Sequence, residues 1–247
     1  MDLALETAEL PTYFTFIEAD KETGRSKVCE LAKWAGGINE VSEGHIYGPL
    51  KADDLLSHGD RKGFTLTPVL NKTNHCPYPG GVRNDDNLVT CSGWENAHID
   101  LVLALTAEYS MRQETRLHHV GFKFASDADR RLQMSKNFGT AEHIRLPANG
   151  HIRHYQSRSD PRTSNKNFWV EYQEYPTHLV RNGIHLDFAT SEPERLLEHL
   201  EKYSGLPTQF WPRQKNAPVG MIFGIEGELE FAIMARSEYS DPATWAA

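Results

Sequence analysis

Two short runs in this chain set a histidine at the head of an alternating stretch, HVGFKF at 119–124 and HLDFA at 185–189. Further on, each is followed by an apolar run that carries one glutamate, Glu171 in FWVEYQ and Glu230 in ELEFAI. In a strand, successive side chains point to opposite faces. That puts His119, Gly121 and Lys123 on one face, and Val120, Phe122 and Phe124 on the other. In the second run His185 and Asp187 share a face, opposite Ile184, Leu186 and Phe188. Both imidazoles therefore leave the apolar side of a sheet. A unit with histidine on its first strand and a carboxylate on its last brings the two onto one concave surface. Two such units facing each other converge two imidazoles with one or two carboxylates, a donor set that suits a divalent cation. With one carboxylate, three positions of an octahedral ion stay open, which fits iron(II), dioxygen and a chelating substrate. With both carboxylates, Lewis-acid chemistry such as enolate stabilisation is the better fit.

Proton-handling groups are sought near that set. His154, Tyr155 and His178 are the candidate acid or base residues, with His143 and His151 as supporting imidazoles. The bland alternative is that a chain with 12 histidines places several together by chance. His118, next to Val120 on the apolar face, reads as a packed or hydrogen-bonded histidine rather than a ligand. Glu230 also fits a solvated strand position, because strands that face water alternate in the same way. Arg153, Arg158, Arg162 and Lys166 lie in a Ser/Pro/Asn-rich stretch that reads as a solvated hairpin, with anion or nucleic-acid contact as its functional alternative.

The elements that must position these residues repeat. HVGFKFASDADRRL at 119–132 and HLDFATSEPERLL at 185–197 share a histidine, an apolar strand, a polar cap, acidic residues, then arginine and leucine. Ser191 and Glu194 form a capping box, and Leu196, Leu197, Leu200 and Tyr203 make a helical stripe closed by Gly205 and Pro207. Three strands follow each helix: about 143–146, 151–156 and 168–173 in the first unit, and 209–211, 219–225 and 229–235 in the second. Each half is a β-α-β-β-β unit. Residues 1–115 form a smaller mixed α/β part of unassigned role, and residues 116–247 the paired-module domain. In the first part, 13–17 reads as a strand, 26–35 as a helix, 64–70 as an edge strand cut by Pro68, 71–87 as a loop, and 97–111 as a buried helix or a strand followed by a helix. The fold class expected is α+β.

Residues 117–236 resemble the vicinal oxygen chelate superfamily, which pairs β-α-β-β-β modules around a divalent metal. LHHVGFKF, GIHLDFA and FGIEGELEF carry the resemblance. It implies His119 as the first-strand ligand, His185 as its counterpart in the second module, and Glu230 as the last-strand carboxylate. Glu171 is then a fourth ligand in a glyoxalase-like arrangement, and outside the coordination sphere in an extradiol-dioxygenase-like one. Glu226-Gly227-Glu228 stands where the family usually has an Asp-Pro-Asp-Gly turn. The activity implied is iron(II)-dependent ring cleavage of a small chelating oxygenated substrate. The alternative is a glyoxalase-like lyase or isomerase using nickel or zinc.

The 247 residues are 39% hydrophobic and 24% charged, the composition of a folded globular chain. Twenty-six Lys and Arg against 34 Asp and Glu leave a net charge of -8, which argues against a nucleic-acid partner. FTLTPVLN, GGVRNDDN and HIDL resemble the fingers-to-palm approach of primase-polymerase-like replication proteins, but Val102 stands where the partner of Asp100 is needed for two-metal chemistry. A non-catalytic binding protein is a third reading, since fold alone does not decide function. Cys29, Cys76 and Cys91 are expected as free thiols. No apolar run is long enough for a membrane-spanning helix, and the first residues lack a basic, then apolar, leader. A cytoplasmic location is expected, with a small-molecule substrate, no membrane, and a homo-oligomer permitted.

Overall fold

The computed structural model describes residue 5 and residues 12–20, 22–23, 26–35, 43–60, 62–68, 76–93, 97–124, 127–138, 143–148, 151–159, 167–175, 182–226 and 229–246. Two compact units emerge, one formed by residues 1–113 with 202–205, the other by 114–201 with 206–247.

The first unit holds β1 (Thr12–Ala19), β2 (Ser26–Ala35), α1 (Gly44–His58), β3 (Thr65–Leu66), β4 (Gly81–Arg83), β5 (Leu88–Gly93) and α2 (Ala97–Arg112). Its sheet runs β2-β1-β5-β4-β3. Residues 26–35 are a strand, not the expected helix. Pairing decided this: β2 lies antiparallel along β1 from Thr12↔Ala35 to Ala19↔Ser26, and a full ladder outweighs weak local periodicity. Within the expected loop 71–87, Gly81–Arg83 is a strand between β5 and the short edge strand β3. Residues 97–111 are helical throughout, so Asp100 sits on a helix and not on the strand that the replication reading requires. Ile17, Ala52, Leu55, Val89 and Cys91 form one buried apolar cluster of this unit.

The second unit comprises β6 (Thr115–Lys123), α3 (Asp127–Phe138), β7 (His143–Ala148), β8 (His151–Ser159), β9 (Asn167–Glu174), β10 (Asn182–Thr190), α4 (Pro193–Ser204), β11 (Thr208–Phe210), β12 (Gly220–Glu226) and β13 (Leu229–Arg236), with a closing 3-10 turn at Pro242–Ala246. The eight strands run β11-β12-β13-β10-β6-β9-β8-β7. This is two β-α-β-β-β modules joined edge to edge through antiparallel β6 and β10. In each, the first strand pairs parallel with the last, β6 with β9 and β10 with β13, which requires a crossover through a helix. The α+β class and the paired modules are as the resemblance implied.

One face of this sheet is apolar. Val120, Phe122, Val170, Tyr172, Leu186, Phe188, Phe231 and Ile233 are buried there, with Leu196, Leu197 and Leu200 of α4 also buried. The opposite face carries the polar residues, in rows set by register. One row reads Ala232, His185, Gly121, Glu171, Tyr155; the next reads Met234, Asp187, His119, Trp169, Ser157.

Candidate metal centre

Where β6 and β10 meet, the row geometry brings three side chains to one point. His119 Nε2 lies 3.0 Å from His185 Nε2 and 3.3 Å from Glu171 Oε2, and His185 Nε2 lies 3.1 Å from Glu171 Oε2. Ligand bonds of about 2.1 Å give edges of about 3.0 Å between cis positions of an octahedron, and about 3.4 Å in a tetrahedron. The three atoms thus form a triangle of the size a single divalent cation caps. Gly121 makes it possible: a Cβ there would fall 1.9 Å from His185 Cε1, so the imidazole lies in the space a side chain would take.

The donors are held ready. Tyr155 Oη donates to Glu171 Oε1 at 2.8 Å, Gln173 Nε2 donates to Oε2 at 3.0 Å, and Arg153 Nε stands 3.3 Å from Oε1. Burial alone would raise the Glu171 carboxyl, but Arg153 and the imidazoles of His119 and His185 outweigh it and hold it well below the usual carboxylate range. Burial lowers His119, outweighing the pull of Asp187 and Glu171 in the other direction, so the ring is neutral. A neutral imidazole and an ionised carboxylate are the forms that bind metal. Burial, then the Glu171 charge, raises Tyr155 well above its ordinary value, so it stays a phenol and acts as a donor to the carboxylate.

Around this triangle, Asp187 is clamped by Arg236, Nε to Oδ1 at 2.9 Å and Nη2 to Oδ2 at 2.6 Å. Burial would raise Asp187, but Arg236 and then His119 keep it far below its ordinary value. His118 is the unexpected member. The β6–β10 register jumps from Asp187↔His119 to Phe188↔Leu117, a bulge that skips His118 and turns it out of the apolar alternation. Its Nδ1 meets His119 Nδ1 at 2.7 Å and its Nε2 meets the Ser240 carbonyl at 2.6 Å. Burial, with His119 adding, lowers His118 to about 3.

The other expected site residues fall elsewhere. Glu230 is one row away, opposite Gly183, and Lys123 Nζ donates to its Oε1 at 2.7 Å; it does not join the triangle. Module symmetry explains why. Glu171 pairs with Gly121, two residues beyond His119, and the residue pairing two beyond His185 is Met234. A thioether thus stands where a second carboxylate would complete a four-ligand set. His154 pairs with Tyr172 on the sheet face opposite Tyr155, and its Nε2 lies 3.1 Å from Glu174 Oε1. His178 lies outside the described residues. Of the supporting imidazoles, His143 opens β7 and His151 opens β8. Asp187 and Arg236 could have been suspected as a charged pair on facing strands; Gly121 and Met234 gave no signal of their own.

A cavity of about 840 Å3 opens over His119 and Glu171, with Arg153, Lys215, Trp211 and Trp245 in its wall. His119, Glu171, His185 and, alternatively, His118, His119, Asp187 are the groups able to hold a cation among the described residues. The first is the better fit, because its three atoms lie 3.0 to 3.3 Å apart, whereas in the second Asp187 Oδ2 lies 3.7 Å from His119 Nδ1 and is held by the Arg236 guanidinium.

No family model and no curated protein matches this chain. Solved structures do. A methylmalonyl-CoA epimerase in complex with methylmalonyl-CoA and NH4+ is similar over 52% of this chain and 99% of its own, at 14% identity and a TM-score of 0.35. The Mycobacterium tuberculosis methylmalonyl-CoA epimerase is similar over 53% of this chain and 91% of its own, at 14% identity and a TM-score of 0.30. Glyoxalase I from Zea mays is similar over 53% of this chain and 48% of its own, at 15% identity and a TM-score of 0.20.

Proposed function

We propose that the paired-module unit is a divalent-metal enzyme whose ion is held by His119, His185 and Glu171, and that its substrate is a small anionic molecule chelating through two oxygens. The observation that carries this is the triangle itself. Three potential ligand atoms lie 3.0 to 3.3 Å from one another and converge on one buried point. A cation answers all three. Two imidazoles and one carboxylate on one face, with Met234 in the fourth place, leave half of an octahedral sphere to substrate and co-substrate. That is the donor set of non-haem iron(II) oxygenases, and extradiol-type ring cleavage is the reading favoured here. Bound there, iron(II) supplies Lewis acidity and one-electron chemistry.

The chain's residues do the rest. Tyr155, Gln173 and Arg153 fix the carboxylate, so little reorganisation remains when the ion binds. The charges in the cavity wall support an anionic substrate. Arg236 is answered by Asp187 and Arg153 by Glu171, leaving Lys215 and the cation as a net positive field inside a chain of net charge -8.

Protein purified anaerobically without chelators is titrated with iron(II) and cobalt(II). One ion per chain is expected, lost in Glu171→Ala and in His185→Ala with the fold intact by circular dichroism. Oxygen uptake with carboxylated catechols supports ring cleavage. Oxygen-independent solvent-deuterium uptake beside a substrate carbonyl moves the assignment to a nickel or zinc lyase or isomerase. A folded wild-type chain that binds neither metal overturns the proposal.

A further inference from the structure

In many metal sites the non-ligating nitrogen of a histidine donates to a carboxylate. Here the carboxylate in place, Asp187, is too far: its Oδ2 lies 3.7 Å from His119 Nδ1 and is already taken by Arg236. The nearer partner of His119 is another imidazole, His118, Nδ1 to Nδ1 at 2.7 Å. Two nitrogens at that distance share one proton, and the question is whose it is. The far side of His118 decides. Its Nε2 is 2.6 Å from the Ser240 carbonyl, which only accepts, so Nε2 carries a hydrogen. A second proton on His118 would put a charge on a ring with no exposed surface, 2.7 Å from another imidazole. The neutral ring therefore presents a lone pair at Nδ1, and His119 Nδ1–H donates to it. His119 Nε2 is then bare and aimed into the triangle.

We infer that His118 is a positioning residue that locks His119 in the Nδ1–H tautomer, so that Nε2 is a ready ligand before any ion arrives. The relay runs from the Ser240 carbonyl through His118 and His119 to the ligand triangle. The C-terminal turn steadies it, because Trp245 stacks on the His118 ring with planes 4° apart. The β6 bulge gains a purpose from this: without the skipped residue, His118 would face the apolar side and His119 would have no proton acceptor at hydrogen-bond distance. The inference rests on the metal reading for its consequence, but not for its geometry.

Two measurements separate them. Imidazole nitrogen–proton correlation spectra of the metal-free, full-length protein should show His119 protonated at Nδ1 and His118 at Nε2. The opposite tautomer on either ring overturns the inference, whatever the metal does. Cobalt(II) titration then compares wild type with His118→Phe and His118→Asn. Asparagine can place its amide oxygen near the lost Nδ1 and accept from His119; phenylalanine cannot. Binding about 10 to 100-fold weaker in His118→Phe, recovered to within a few-fold by His118→Asn, is the result expected of an orienting partner. Equal affinity in wild type and both variants overturns the positioning role while leaving the metal site standing. Weakening by both variants alike, with both folded by circular dichroism, overturns it as well, because filling the space rather than accepting the proton would then be what matters. A wild-type chain that binds no cobalt, with the tautomers as stated, fails the proposed function and not this inference.

Discussion

Each unit buries a polar cluster, and the two clusters are opposites. In the first unit Lys51 Nζ donates to the Ser92 carbonyl at 2.7 Å and to Asp100 Oδ2 at 2.9 Å, while Ser92 Oγ also donates to Asp100. Arg83 donates to Asn87 Oδ1 and to the Leu55 carbonyl at 3.0 Å. Donors there meet acceptors, and cations meet anions. In the second unit, three potential ligand atoms of His119, His185 and Glu171 converge on one point, with Tyr155, Gln173 and Arg153 holding the carboxylate. A buried cluster closed on itself specifies a fold; one that converges lone pairs leaves a place for a cation. That difference, more than the number of charged residues, marks which cluster is the candidate site.

The sharpest way to break the contrast is Gly121→Ala. Its Cβ would collide with the His185 ring, so stoichiometric metal binding should be lost, while circular dichroism shows both sheets retained. A variant that still binds one ion per chain removes His185 from the site. On the other side, Lys51→Met leaves the buried Asp100 carboxylate without the Lys51 cation. Breaking such a pair costs about 3 to 5 kcal/mol, read in denaturant unfolding, with cobalt affinity unchanged in the folded fraction. A cost below about 1 kcal/mol would mean that the first cluster is not the structural one.

Acid separates the clusters more gently. His118 is held at about 3, below the ordinary histidine value of about 6.5, so the unfolded chain binds more protons than the folded one across that window. Its contribution to stability is complete above about pH 6.5 and is lost as the pH falls, by up to about 1.4 kcal/mol per pH unit. Urea unfolding of metal-free protein between pH 7 and 5 should show that slope, shallower in His118→Asn. A slope unchanged by the substitution would mean that His118 titrates normally. The smallest effect belongs to Glu230→Gln. Its partly buried pairing with Lys123 is worth about 1 kcal/mol, and metal affinity should not change. A tenfold loss of affinity would restore Glu230 as a ligand and sink the three-ligand set.

Much of the second unit was legible because its signals are local. Alternation in HVGFKF and HLDFA and the stripe through Leu196, Leu197 and Leu200 each depend on residues a few positions apart. The strand at Ser26–Ala35 was not legible, because its conformation comes from pairing with β1 rather than from its own pattern. His118 is hydrogen-bonded as expected, but the face it takes was not legible, for a related reason. A bulge adds one residue to one strand of a pair, and only the partner strand reveals it.

The sequence by itself determined which residues alternate, where helices begin and stop, and that two histidines and two glutamates leave the apolar face of a repeated unit. Only the tertiary structure decided which glutamate stands beside the imidazoles. Glu171 and Glu230 sit in equally plausible strands, yet parallel register puts Glu171 opposite Gly121 and Glu230 opposite Gly183, one row too far. Register is fixed by where long-separated strands lock together, and a shift of two residues keeps the face but moves a side chain by about 7 Å, more than a metal–ligand bond can span.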